Sequence, residues 1–160
     1  MNQKILSLLV LVALAPAVVL SVYAESSYTE KIEFGAGLEE TLGHFWAIEQ
    51  NLDDNNAVLA LVHATHPVAE LYDAMKPTLV ATSPSLDAKV SNILDELGAK
   101  TDSRQVTRAD ADKAIADAKE VVAIARSQVI GDELSNDTGF KLELMKTLLE
   151  TSIAEYEEAI

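Results

Sequence analysis

From Leu38 to Ile160 the apolar residues return every three or four positions, and no stretch alternates apolar and polar residues as a half-buried strand would. That period restricts the chain to amphipathic helices packed on one another. Ala, Leu, Glu, Asp and Lys dominate the segment, and all but Asp are strong helix formers. The chain has no cysteine, so neither disulfides nor thiolate metal sites are available and packing must hold the helices together.

Punctuation divides the pattern into five helices. Leu38, Leu42, Phe45, Ile48 and Leu52 form one stripe, and Asp53-Asp54-Asn55-Asn56 breaks it. A second helix is expected from Asn55 to Lys76, with Val58, Leu61, Val62, Thr65, Ala69 and Tyr72 inward. Pro67 stands in its middle, lacks an amide hydrogen and clashes with the His63 carbonyl, so a kink near Thr65 or a restart at Pro67 follows. Pro77 should close it. Ser83-Pro84 opens a third helix that ends before Gly98. Thr107-Arg108-Ala109-Asp110 resembles a capping box and starts a fourth helix, which runs to about Ile130 with Ala111, Ala114, Ala118, Val121, Ile124 and Ala125 inward. After a loop from Asp132 to Gly139, a fifth helix from Phe140 carries Leu144, Leu148, Leu149, Ser152 and Tyr156 on its stripe. Short connections favour antiparallel neighbours. The expected fold class is therefore all-α: an antiparallel bundle of four main helices plus one shorter helix, over residues 38–160.

Ahead of the bundle lie two other segments. Residues 1–24 read as a signal peptide or membrane anchor. Lys4 supplies a positive start, Ile5 to Val22 carries no charge, and Val22-Tyr23-Ala24 offers small residues for cleavage before Glu25. Residues 25–37 read as a polar spacer, with Gly35-Ala36-Gly37 as a flexible join. An extracytoplasmic location follows, either secreted or anchored at the outer face of the membrane. Removing the first 24 residues takes away one lysine and no acid, leaving 136 residues and a net charge of −15. Such a surface repels phosphate backbones, which argues against nucleic acid and for cations, basic proteins or plain solvation.

The chemistry concentrates in HATHPVAELYDAMKP, residues 63–77, which holds two of the three histidines. His63, His66 and Glu70 at i, i+3 and i+7 span about 60° of a helix face, with axial steps of about 4.5 and 6 Å. Imidazoles and a carboxylate so spaced can converge on Zn, Cu or Fe. His44 is as far before the turn at residues 53–54 as His63 is after it, so a hairpin places the two at one height. The candidate metal ligands are His44, His63, His66 and Glu70, with Glu40 one turn before His44. Against this, the His63, His66 and Glu70 face lies about 140° from the apolar stripe assigned to its helix, and exposed histidines beside carboxylates are commonly just solvated. A pH switch or an interface is a further role for such histidines. There is no G-x-S-x-G elbow and no carboxylate pair with catalytic spacing, so a non-enzymatic role is expected. Asp110, Asp112, Asp117 and Glu120 read as a solvated helix face. Of Phe45 and Trp46, adjacent and therefore on different sides, one belongs to the core.

Residues 63–97, HATHPVAELYDAMKPTLVATSPSLDAKVSNILDEL, carry a histidine-proline helix, then Glu70-Leu71-Tyr72 and a Ser83-Pro84-Ser85-Leu86 helix start. In this the chain resembles exported helical proteins of ammonia-oxidising archaea. More distantly it is similar to the extracytoplasmic helical segment that precedes some high-affinity iron permeases. The resemblance implies an extracytoplasmic helical bundle, linked to metal handling at the cell surface, without an assigned reaction. The H-x-x-E pattern of imelysin-like iron-uptake proteins is absent, since His66 and Glu70 are four apart. Two functions are thus expected: a binding or assembly module with a protein partner or membrane tether, or a metal-binding or metal-delivery protein using the His/Glu face.

Overall fold

The first helix, α1, spans Tyr28–Asp53 and begins ten residues earlier than its apolar stripe suggests. Its start is a capping box. The Ser27 amide donates to Glu30 Oε2 at 2.7 Å, and the Glu30 amide donates to Ser27 Oγ at 3.3 Å. Residues 28–37 are therefore helix and not spacer, and Ile32, Phe34 and Ala36 are buried. Gly35 and Gly37 are not a join either. A Cβ on Gly35 would stand 3.2 Å from Ile130 Cδ1 and from Leu144 Cδ1, and one on Gly37 would stand 3.1 Å from Met75 Cγ. At both glycines neighbouring side chains press closely onto the α1 backbone. The computed structural model describes residues 26–101 and 107–158. The proposed signal or anchor segment, residues 1–24, lies outside the described residues. Among those described, no helix is long and apolar enough to cross a membrane.

Asn55 turns the chain with a φ of 57°, a left-handed conformation that Asn tolerates, and Asn56 caps α2 (Ala57–His66) by accepting from the Leu59 amide. The kink expected near Thr65 takes a specific form. Pro67 cannot donate to the carbonyl four residues back, and the backbone re-registers into a single π-helical turn, Pro67–Leu71, closed by the Tyr72 amide on the Pro67 carbonyl. α3 (Tyr72–Thr82) continues from it. Pro77 does not close the segment. It sits exposed inside α3, where burial of Met75 and Leu79 on either side outweighs one lost backbone hydrogen bond.

The inward face of this segment differs from the stripe expected. Ala60, Ala64, Pro67, Tyr72, Met75 and Leu79 are buried, while Val58 is 79% exposed and Val62 52% exposed. The five-residue step from Pro67 to Tyr72 is the π turn itself. Small residues face inward because α2 lies close to α4 (Pro84–Thr101): the nearest atoms to a Cβ on Gly98 would be Thr65 Cγ2 at 3.7 Å and the Ala64 carbonyl oxygen at 3.9 Å. Gly98 is thus a close-contact point inside α4 and not its terminator. Leu86, Val90, Leu94 and Leu97 give α4 its buried stripe.

The capping box at Thr107 and Asp110 forms as expected and starts α5 (Arg108–Val129), which ends at Gly131 with a φ of +66°. Its buried residues include Ala111, Ala114, Ile115, Ala118, Val122 and Ala125, with Val121 and Ile124 half-buried at the boundary. Cations on α5 fix its antiparallel register on α1: Arg108 pairs with Asp53 at 2.8 Å, Lys119 with Glu49 at 2.7 Å, and Arg126 with Glu39. Asp112 and Asp117 pair with Arg108 and Lys113 on the outer face, as a solvated charge run does.

A short helix, α6 (Glu133–Asn136), occupies part of the expected loop, and its Glu133 holds the buried Lys31 of α1 at 2.7 Å. The last helix, α7 (Thr138–Glu158), lies on α1 rather than against α5. Tyr28 meets Phe140 edge-on with ring centroids 5.5 Å apart, and Leu144 covers Gly35. Phe140 and Leu144 are buried and Leu148 half-buried, but Leu149, expected inward, is 63% exposed. The described residues form an all-α bundle, with no strand among them.

Candidate metal site

The hairpin of α1 and α2 brings the histidines together at the height that their equal spacing from the turn requires. His44 Nδ1 lies 3.1 Å from His63 Nδ1. The His66 ring stacks on His44, with centroids 4.3 Å apart and planes inclined by 24°. Glu40 stands one turn before His44 on α1. One ligand atom each from Glu40, His44 and His66 lies within 4.8 Å of the other two, so the three residues are close enough to share one metal ion. All three are half-buried.

His63 and Glu70 flank this group without belonging to its tight core. Glu70 Oε2 stands 3.2 Å from His66 Nε2, yet that nitrogen is buried and makes no hydrogen bond. A buried nitrogen without an aligned hydrogen bond carries a desolvation cost that a metal ion bound to it would offset. The expectation that this histidine face points away from the bundle is corrected by the same geometry that corrects the stripe. With alanines inward on α2, His63 and His66 sit beside the buried face and lean against α1.

Electrostatics follow from that partial burial. The His44 pKa is pushed down to about 4, chiefly because burial disfavours the imidazolium and then because a charge on His66 or His63 would repel it. The His63 pKa is lowered too, by burial first and by His66 second. At neutral pH both imidazoles are uncharged. The 3.1 Å contact then requires one Nδ1 to donate and the other to accept, so the two rings hold opposite tautomers. Neutral imidazole and carboxylate are the protonation states that metal binding requires.

A groove of about 470 Å³ opens between α1 and α7 beside these residues. Glu40, His44 and His63 line it, and Gly43, Trp46 and Leu148 form the apolar part of its wall. Trp46 is 63% exposed, whereas Phe45 is fully buried. Sequence reasoning placed Glu40 only at the margin of the site and missed the α7 wall altogether. Glu40-x-x-x-His44 was the available signal for the first, since i and i+4 share a helix face. No local signal announced the second. Compared with protein families, curated proteins and solved structures, the chain matches none of them.

Proposed function

We propose that this chain is an extracytoplasmic helical bundle that binds a divalent transition metal, without catalysing a reaction of its own. The observation that carries the reading is the convergence of Glu40, His44 and His66, whose ligand atoms lie within 4.8 Å of one another on two different elements. Two imidazole nitrogens and a carboxylate suit Zn, Cu or Fe. His63, with its Nδ1 against that of His44, acts in this reading as a positioning residue that holds the ring's tautomer. The uncharged run from Ile5 to Val22 supports export, and the resemblance to exported archaeal helical proteins agrees with metal handling at a cell surface.

Calorimetric titration of the full chain with Zn²⁺, Cu²⁺ and Fe²⁺ tests this. The expected result is micromolar or tighter binding of at least one ion. His44→Ala and His66→Ala should each weaken it about 100-fold, and His63→Ala about tenfold, in line with the size of ligand and supporting-residue effects. Glu70→Gln should leave it nearly unchanged. Absence of binding, or binding indifferent to His44 and His66, would refute the reading.

A second reading, an assembly module with a protein partner or membrane tether, is favoured by a different observation. Leu142, Met145, Leu149 and Ile153 form an exposed apolar stripe along the outer side of α7. The two readings use separate faces of the molecule and are tested separately.

A further inference from the structure

The groove beside the histidines bears on what an ion held there would do. We infer that a metal bound by Glu40, His44 and His66 keeps one exchangeable coordination position facing the α1–α7 groove, and takes a small donor ligand from solution there. The inference rests on the metal-binding reading and adds an open position to it.

Three observations carry it. First, the tight group supplies three ligand atoms, one fewer than a closed tetrahedral site needs. The two remaining candidates stand outside that group: His63 has its Nδ1 against that of His44 at 3.1 Å, and Glu70, on the outer side, stands 3.2 Å from His66 Nε2. Secondly, two of the three ligand residues, Glu40 and His44, lie in the groove wall. At about 470 Å³ the groove has room for far more than the one water, roughly 30 Å³ of liquid volume, that would complete the shell. Thirdly, the wall is open where it borders His44. A Cβ on Gly43, an exposed residue of that wall, would meet nothing within 4 Å, so a larger side chain has room there to stand over the groove. In the rest of the wall Trp46, Ala47 and Leu148 are apolar, Glu39 is paired with Arg126, and His63 has its Nδ1 against that of His44. The ligand class is therefore a compact donor such as water, a small anion or an imidazole, and not a chelator that would have to displace the protein.

Azide titrated into the Cu²⁺-loaded full chain is the test, read by the azide-to-copper charge-transfer band. The chain's single tryptophan, Trp46, gives a parallel fluorescence readout of Cu²⁺ itself through quenching. The expected result is a saturable azide band in the unaltered chain. Gly43→Leu, on an exposed helical position, should weaken azide binding about tenfold or more by occupying the groove, and change Cu²⁺ affinity less than about threefold. Gly43→Ala, which adds only a methyl, should retain the band. If Cu²⁺ quenches Trp46 and azide raises no band, the protein fills every position and the inference fails while the metal reading stands. A band that Gly43→Leu leaves intact would place the open position elsewhere and overturn the inference as well. Failure of Cu²⁺ to bind overturns both.

Discussion

His44 shows how one side chain gathers several roles from its surroundings. Its ring is pressed between His66 and His63 and half-buried, so its folded pKa of about 4 lies well below the ordinary 6.5 of histidine. The sign of the consequence follows from linkage. Between pH 6.5 and 4 the unfolded chain binds a proton at this position and the folded chain does not, so stability falls as pH falls through that window. The lowered pKa of His63 acts in the same direction. Because the ring is partly exposed to screening solvent, the loss expected for His44 is on the order of 1–3 kcal/mol. Denaturant unfolding of the metal-free chain at pH 7 and pH 4.5 should show that decline, and His44→Gln should flatten it. Equal slopes in the two proteins would rule out His44 as its source.

Among the elements, α1 and α4 each carry a glycine where a neighbouring helix comes close, with opposite expectations for substitution. At Gly98 an added methyl finds ordinary van der Waals distances to Thr65 and Ala64, so Gly98→Ala should stabilise α4 by up to about 1 kcal/mol through helix propensity and a less flexible unfolded chain. At Gly35 the same methyl meets Ile130 and Leu144 at 3.2 Å, so Gly35→Ala should lose that gain or lower the melting temperature. Thermal melts of the two variants beside the parent decide it; a rise for Gly35→Ala would mean that α7 shifts freely on α1. The π turn at Pro67 belongs to the same scale. It holds His66 at the junction of two helical registers, next to α1, and lets the buried face pass from Ala64 to Tyr72.

At the scale of the whole molecule, α7 packs at the edge of the bundle. It rests on α1 and α6, and beyond Leu148 the side chains of Leu149 and Ile153 face outward, Ile153 at 57% exposure. On a chain with a net charge of −14, a row of four exposed apolar side chains is a surface suited to association. The mass of the chain in solution should therefore rise with concentration. Leu149→Glu should return it to the monomer while shifting stability by less than about 0.5 kcal/mol, since the side chain is outside the core. Light scattering over a concentration series measures both proteins. A monomer at every concentration, unaltered by Leu149→Glu, would remove the basis for the assembly reading.

The helical class, the capping box at Thr107 and the shared height of His44 and His63 were all legible in the sequence, because each follows from local periodicity, a short-range hydrogen bond or equal chain length on either side of a turn. The capping box at Ser27 and Glu30 was equally local, but the polar residues around it hid a helix whose buried face begins at Ile32. Which face of each helix turns inward was decided only in the folded molecule. Val58 and Val62 are more apolar than Ala60 and Ala64, yet the alanines are buried, because small side chains let α2 approach Gly98 of α4 and a closely packed contact is gained along the whole helix. That choice of face brings the histidines onto α1. The seat of α7 on α1, and with it the groove over Glu40 and His44, likewise depends on residues a hundred positions apart, which no local pattern connects.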